Sequence, residues 1–438
     1  MTEKVESQQN HAPFPTQRDV VVIGGGPAGA TVAALVAEAG FGVLLLEREQ
    51  FPRFHIGESL MPETYWTFEK LGFLERLRES GSPVKGSVQF ISESGRESKP
   101  FYFFERRQHE CSYTWQVERS WFDQAMLENA AEKGAEICLG VGARDVVFED
   151  SKAGRRQAVG VVVAGPDGDA TVRARVVVDA SGQNSLMARR LGIRRADSRL
   201  KKASISAHYR NGYRDPGIDG GATIILATPG NRGWFWYIPL SEDRVSVGVV
   251  SDAAVLFAGD RSPEEVLAHE IANCPSISKR LENAEQVTPA AVLSDFSYRA
   301  TQCAGDGWAL IGDAFGFLDP IYSSGVFLAL KSGDLASASI ISALQSNDVS
   351  AERLETFGSE LIRGMEAIRK LVYAFYTPGF SFANFIREHP DHRHRLTDIL
   401  IGDVFKDGVT DIFEDMKEFC DLPEDMPLSG AGTSATRL

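Results

Sequence analysis

The sequence predicts an α/β fold: a glycine-fingerprint βαβ unit, an inserted antiparallel sheet and a helical C-terminal cap. Three observations predict it. An apolar strand, Arg18 to Ile23, runs straight into Gly24-Gly25-Gly26-Pro27-Ala28-Gly29 and then into a helix pattern rich in Ala and Val. Residues 203–250 read as four long strands (SISAHY, ATIILAT, WFWYIPL and RVSVGVV) broken by Gly, Pro and charged turns. Leu354, Phe357, Leu361, Met365, Ile368, Val372 and Phe375 keep helical spacing and predict one long amphipathic helix.

Taken in order, residues 1–17 are polar and predict a disordered arm. The first strand leads into a helix from Ala30 to Ala39, closed by Gly40. A second apolar strand, Gly42 to Leu46, ends at Glu47 and completes the βαβ unit. Turns and helix patterns fill the stretch to residue 140. Residues 141–180 then alternate like paired strands and finish at Val176-Val177-Val178-Asp179-Ala180-Ser181-Gly182. After the four long strands, helix patterns return, interrupted by the strand-like Trp308 to Ile311 before Gly312-Asp313. The predicted organisation is an α/β domain over 18–345, with inserted sheet segments near 80–110 and 200–300. A helical cap follows over 346–427, then a flexible tail over 428–438. No internal repeat is seen.

Charge and composition exclude several classes. The 438 residues carry 46 basic and 60 acidic side chains, a net charge of 46 − 60 = −14, which argues against nucleic acid or an anionic membrane as the main partner. No uninterrupted apolar run is long enough to span a bilayer. The N-terminus lacks the apolar stretch of a secretory signal, which predicts a cytoplasmic protein. Cys111, Cys138, Cys274, Cys303 and Cys420 are far apart and odd in number, without metal-ligand spacing, and predict buried free thiols.

Two motifs carry chemistry. Gly24, Gly26 and Gly29 fit GxGxxG directly between a strand and a helix. The first glycine permits the tight turn, the second lets backbone approach a pyrophosphate, and the third lets the helix pack on the strand. The helix N-terminus, beginning at Pro27-Ala28, offers free N–H groups to phosphates. Glu47 closes the second strand about 20 residues on, where a carboxylate accepts from ribose hydroxyls. A dinucleotide is therefore expected. The second motif is Trp234-Phe235-Trp236-Tyr237-Ile238-Pro239. Strand alternation puts Trp234 and Trp236 on one face and Phe235 and Tyr237 on the other. Pro239 removes a ladder donor and favours an end or edge of the strand.

Family resemblance sharpens both motifs. Asp179-Ala180-Ser181-Gly182 and Leu310-Ile311-Gly312-Asp313-Ala314 resemble the second and third FAD-contacting segments of the flavoprotein monooxygenase superfamily. The resemblance implies a Rossmann-like FAD-binding fold, with FAD segments near 18–60, 110–200 and 300–345, in which Asp313 contacts the ribityl-phosphate region. Arg119 stands where that family often places an FAD-contacting arginine, with a surface arginine as the alternative. Within the superfamily the chain most resembles the flavin-dependent halogenases of the phenol and pyrrole branch, over most of its length. Trp234-x-Trp236-x-Ile238-Pro239 looks like their WxWxIP signature, and the stretch Pro52 to Leu60, with Glu58 and Ser59, is similar to their segment beside the isoalloxazine ring. Lys85, in Ser82-Pro83-Val84-Lys85-Gly86, stands at the position of their active-site lysine. Ser323-Ser324-Gly325-Val326 resembles their halide and flavin loop, with Ser324 and Gly325 at the halide and Gly325 and Val326 at the flavin. The tryptophan-specific branch carries a glutamate near the position of Tyr322, and this chain departs there, which speaks against free tryptophan as substrate.

The resemblance implies FAD, delivered as FADH2, together with O2 and a halide, chloride or bromide. In the family a flavin C4a-hydroperoxide oxidises the halide, and the hypohalous acid passes through a tunnel to the lysine, here Lys85. The amine polarises it as an ammonium or forms a chloramine as a neutral base. The bulky Trp234 and Trp236 would keep substrate off the flavin face. The resemblance implies a separate NAD(P)H:flavin reductase as partner, and the chain shows only one GxGxxG of its own. The expected substrate is a small aromatic such as a phenol or pyrrole, free or tethered to a carrier protein. A geranylgeranyl-type reductase and a hydroxylase share much of this framework, and a flavin-binding redox sensor is the non-catalytic alternative. His55, His109, His208, His389, His392 and His394 form no recognisable triad or metal spacing, and the last three are expected at the surface. The aromatic segment Phe375 to Phe382 is expected to cover the substrate side. The ring-proton acceptor has no candidate in sequence.

Overall fold

The computed structural model describes residues 14–150, 154–165, 168–294 and 297–426. The expected tail, 428–438, and residues 1–13 of the expected arm lie outside the described residues. Gln17, placed in the arm by sequence, is the first residue of β1 (Gln17–Ile23). Val20 to Ile23 are buried on both faces, the pattern of a parallel strand flanked by other layers. α1 (Pro27–Glu38) begins three residues before the expected Ala30, with Pro in its first turn, where a missing N–H costs nothing. β2 (Val43–Glu47) pairs in parallel with one side of β1, Val20 opposite Val43. After α2 (Arg119–Glu132), β3 (Gly168–Asp179) pairs in parallel with the other side, Val22 opposite Val178.

The order across this sheet is Ala304–Gly305, Trp308–Leu310, β3, β1, β2, Glu136–Leu139, with a hairpin of Ala143–Asp150 and Arg156–Gly165 leading onto β3. The chain leaves β1 toward β2 on one side and returns as β3 on the other. A crevice opens beyond the carboxyl ends of these strands, where ligands of open α/β sheets bind.

The second sheet contains β4 (Lys202–Arg210), β5 (Thr223–Ala227), β6 (Gly233–Pro239) and β7 (Arg244–Asp252), ordered β4, β7, β6, β5. These four are antiparallel, and Ser87–Ile91 adds to β5 in parallel. Alternation divides the sheet into two faces. Ile205, Phe235, Tyr237, Val247 and Val249 enter a smaller core with the helix Pro263–Asn273. Ile225, Trp234, Trp236, Ile238 and Val250 join the main core, and the first four roof the crevice. The two tryptophans therefore share a face, as the motif predicts. Pro239 closes β6, but β6 is an interior strand, so it sits at a strand end and not at a sheet edge.

α3 (Ser324–Gln345) is long and apolar enough to cross a bilayer by length and composition, yet most of it is buried, packed against α1 and α4 (Gly358–Tyr376). The single long helix expected from Leu354 is interrupted. Leu354 ends a short helix, Ala351–Leu354, and Phe357 lies in a 3-10 turn, Glu355–Phe357. Thr356 sits at the break with its hydroxyl on the Arg353 carbonyl at 3.2 Å, a local bond that competes with helix. Leu354 and Phe357 remain buried, so the apolar spacing is kept while the backbone is not continuous.

Candidate active site

The three glycines of the fingerprint have three separable tasks. Gly24 has φ +106°, and a Cβ there would stand 2.3 Å from the Ala180 carbonyl oxygen, where β1 meets the end of β3. A Cβ on Gly29 would stand 2.0 Å from the Gly24 oxygen, so α1 could not pack down on the turn. At Gly26 the nearest atom is an Arg53 nitrogen at 3.9 Å, leaving open space in front of the backbone. Glu47 holds this turn in shape. One carboxylate oxygen accepts from the Gly25 N–H at 2.7 Å and the other from Glu49 N–H at 2.8 Å. Asp179 does the same for the next loop, accepting from the N–H groups of Ser181 at 2.9 Å and Met187 at 2.7 Å.

These loops border one cavity of about 380 Å³, whose walls include Gly24, Gly26, Pro27, Ala28, Glu47, Glu58, Ser59, Arg119, Trp234, Trp236, Asp313, Gly325 and Val326. Thirteen residues expected around the cofactor or signature strand thus converge from positions up to 302 apart in sequence. Gly29 and Gly312 stand behind the wall and shape it. Gly312 has φ +55° and a Cβ there would meet the Ala28 Cβ at 2.9 Å. Arg119 is buried, which removes the surface alternative. It grips Asp123 with two N–H groups at 2.7 and 2.9 Å and donates to the Ile56 carbonyl at 2.7 Å, fixing the 56–57 turn against α2. Burial lifts the Asp313 carboxyl to about 7, opposed by Arg119.

Two helix N-termini meet the cavity without acidic residues in their first turns: α1, and α3 behind Ser323 in the left-handed conformation. Their N–H groups and positive dipole ends make anion-binding positions. Ser324 is buried, its hydroxyl has no hydrogen-bond partner among the described residues, and it stands behind Ser323 and Gly325, which border the cavity. A Cβ on Gly325 would meet only a Phe317 ring carbon at 3.6 Å, so the glycine is not demanded by packing. Open backbone at Gly26 and donors at two helix ends fit a dinucleotide with a pyrophosphate, and the α3 end fits a small anion.

The tryptophans are held by their ring nitrogens. Trp236 Nε1 donates to Ser246 Oγ at 3.1 Å, and its ring lies on Gly248, where a Cβ would come within 2.2 Å of it. Trp234 Nε1 donates to Tyr376 Oη at 2.8 Å, and Tyr376 donates to buried Asp319 at 3.0 Å. Asp319 also accepts from the Ile321 N–H at 3.1 Å, just before α3. The aromatic C-terminal segment therefore reaches the site through Tyr376.

Lys85 lies on the two-residue strand Val84–Lys85, paired with Thr114–Trp115. Its side chain turns inward and is 2 % exposed. Nζ donates to Ser59 Oγ at 2.8 Å and to the Leu60 carbonyl at 2.9 Å, 5.6 Å from the Phe103 ring centroid. Burial pulls its pKa down to about 7. Lys85 itself does not border the cavity. Ser59 does, so one hydroxyl separates the amine from it.

Several residues of the site were not singled out by sequence. His208 is buried, with Nε2 2.5 Å from a carboxylate oxygen of Glu58. Its place on the β4 face that carries Ser204 and Ser206 was the available signal. Thr223 and Gln116 had none beyond ordinary polar chemistry, while Tyr376 belongs to the aromatic segment expected over the substrate side. His392 was expected at the surface and is buried, with Nε2 2.6 Å from Asp415. His389, His392 and Asp415 cluster closely enough to suggest a metal. Arg395 Nη1, 3.3 Å from His392 Nδ1, is a donor only. It leaves the His392 proton on Nε2, facing Asp415, so the group reads as a hydrogen-bonded pair.

The fold and crevice define a flavin-type α/β protein with an aromatic sheet over the cofactor cavity. Residues 19–110 and 104–379 match the family model described as tryptophan halogenase. The chain belongs to that family, the flavin-dependent halogenases, enzymes that use FAD, O2 and a halide. It is 32% identical over 436 residues, 93% of this chain and 94% of the relative, to the 1H-pyrrole-2-carbonyl-[peptidyl-carrier protein] chlorinase of Pseudomonas fluorescens. It is 36% identical over 334 residues, 75% of this chain and 79% of the relative, to the corresponding brominase of Pseudoalteromonas luteoviolacea. The solved flavin-dependent brominase Bmp2 superposes with a TM-score of 0.82 at 31% identity, covering 92% of this chain and 99% of that one.

Proposed function

We propose that this enzyme chlorinates or brominates a pyrrole-2-carbonyl group tethered to a carrier protein, with Lys85 as the residue that delivers the halogen. The observation that carries the reading is a buried amine with a pKa near 7, one hydroxyl away from the cofactor cavity. The tethered pyrrole is favoured over a free phenol because relatives aligned over most of this chain act on it. When bound, reduced FAD supplies, with O2, the oxidising equivalent that turns halide into hypohalous acid. The residues supporting FAD are Gly24, Gly26, Pro27, Ala28, Gly29, Glu47, Glu58, Ser59, Arg119, Gly312, Asp313, Gly325 and Val326. The N–H groups at Ser324 and Gly325 hold the halide at the start of α3.

Trp234 and Trp236 close the roof and keep the aromatic substrate away from the cofactor. Lys85 then works as acid and base. Its ammonium donates to the hypohalous oxygen as the ring carbon takes the halogen, so the O–X bond breaks and water leaves. The neutral amine accepts the proton lost from the ring and is restored. A pKa near 7 suits both halves of that exchange. A separate NAD(P)H:flavin reductase in the cytoplasm supplies FADH2, consistent with the single glycine fingerprint. The test combines purified enzyme, FADH2, O2, chloride or bromide, and pyrrole-2-carbonyl loaded on a carrier, beside a panel of free phenols. Intact-mass detection of a halogenated pyrrolyl carrier supports the reading. Turnover that halogenates only free phenols would reject the tethered substrate, and turnover without any halogenated product would reject the activity.

A further inference from the structure

Two hydroxyls, an amide and the Lys85 amine form an unbroken row behind the cavity wall. Lys85 Nζ is 2.8 Å from Ser59 Oγ, and Ser59 Oγ is 2.8 Å from Thr223 Oγ1. Gln116 Nε2 donates to Thr223 Oγ1 at 2.8 Å and to the Gly221 carbonyl at 2.9 Å. That carbonyl only accepts, so it fixes which end of the Gln116 amide carries nitrogen. Ser59 and Thr223 border the cavity.

Counting donors gives the row two possible directions. An ammonium has donors only, so it takes Ser59 Oγ as an acceptor, just as Gln116 takes Thr223 Oγ1. One hydroxyl proton then fills the Ser59–Thr223 contact, and the other has no partner within the row. Both residues border the cavity, so that spare O–H has the cavity beside it. A neutral amine keeps an N–H for the Leu60 carbonyl and gains a lone pair, which can accept from Ser59 Oγ. The row then runs from Gln116 through Thr223 and Ser59 to Lys85, and no hydroxyl proton is spare.

We propose that Ser59 and Thr223 form a hydroxyl subsite for the oxygen of hypohalous acid, and that it presents its donor to the cavity only while Lys85 is an ammonium. The proposal rests on the halogenase reading and assigns the step between the cavity and Lys85. The subsite delivers the oxidant only when the amine still holds the proton that the departing oxygen needs. Ser59, expected among the cofactor contacts, becomes a relay residue, with Thr223 and Gln116 as its positioning residues. The surroundings leave the switch to Lys85 itself. Around its amine stand Ser59, Leu60, Thr114 opposite on the paired strand, Thr223 beyond Ser59, and the Phe103 ring. Lys85 forms no salt bridge among the described residues, and burial is the cause of its lowered pKa. Glu58, beside Ser59 in sequence, is engaged by His208.

The test has two arms. In the cofactor-free protein, the Lys85 midpoint is followed by NMR of isotope-labelled lysine. Ser59→Ala removes an acceptor from the ammonium and lowers the midpoint by about one pH unit. In the second arm, Thr223→Val and Thr223→Ser turn over FADH2, O2 and bromide with the carrier-bound pyrrole and monochlorodimedone as a scavenger of escaped hypohalous acid. Thr223→Val shifts the ratio of halogenated scavenger to halogenated pyrrole by about tenfold, the worth of one hydrogen bond. Thr223→Ser restores the wild-type ratio. An unmoved midpoint in Ser59→Ala, or a Thr223→Val ratio equal to wild type, overturns the proposal. Wild-type enzyme that halogenates neither acceptor defeats the halogenase reading, and the NMR arm still decides whether the row follows the lysine charge.

Discussion

Lys85 is a buried amine with hydrogen-bond acceptors and, among the described residues, no salt-bridge partner, and its titration governs two measurable properties. If the ammonium must meet the oxidant, kcat falls as pH rises through about 7. A pH profile that instead climbs through that midpoint assigns delivery to the neutral amine. Stability changes in the opposite sense. The folded pKa lies below the unfolded value of 10.5, so the cost of burying the charge is full below pH 7. It shrinks as pH rises from 7 to 10.5 and is absent above. At roughly 1.4 kcal/mol per pKa unit, the cost outweighs the bonds to Ser59 and Leu60. Lys85→Met is therefore expected to raise Tm at pH 6, with a gain that fades by pH 10, as thermal melts across pH will show. Lys85 was legible because Pro-Val and Gly flank it and three further motifs accompany it. Thr223, Gln116 and His208 were not, because each is an ordinary polar residue that reaches the site only after two sheets have packed together.

At the scale of elements, β6 and β7 cooperate to hold the roof. Gly248 on β7 is the seat of the Trp236 ring, and the pair are register partners. Gly248→Ala forces the indole off its seat and off Ser246. Overpacking of this kind costs about 1–3 kcal/mol, readable as a lower denaturation midpoint. The displaced indole should also weaken FAD affinity, measured by titration of the deflavinated protein. An unchanged midpoint and affinity would show that the ring has room to move. Period-two alternation made this strand legible to the residue, including which aromatics share a face. The helical cap was less legible. Apolar spacing from Leu354 to Phe375 is preserved through a 3-10 turn, so periodicity alone concealed the break at Thr356.

Across the whole molecule, the cap is pinned to the segment over the lysine by charge. Arg106 grips Asp398 at 2.7 and 3.1 Å, and Arg107 joins Glu63 at 2.6 Å to Asp403 at 2.7 Å. Phe103, against Lys85, lies three residues before Arg106. Asp398→Asn leaves two cations facing a neutral amide, since Lys406 also contacts that carboxylate. Breaking a buried pair costs about 3–5 kcal/mol, and the partly exposed arginine reduces this to about 1–3 kcal/mol. The expected outcome is a lower Tm and faster hydrogen exchange in residues 103–112, and exchange unchanged there would show that the cap holds by apolar packing alone. The overall architecture was readable from one fingerprint and four strands, because each is local. The cap's attachment was not, because it depends on ion pairs between segments 292 and 296 residues apart.

The measurement that bears most directly on the account is the fate of oxidising equivalents in Lys85→Ala, supplied with FADH2, O2, bromide and carrier-bound pyrrole. The account predicts that flavin is reoxidised while brominated product disappears from the mass spectrum. Bromination at the wild-type rate in that variant would contradict it.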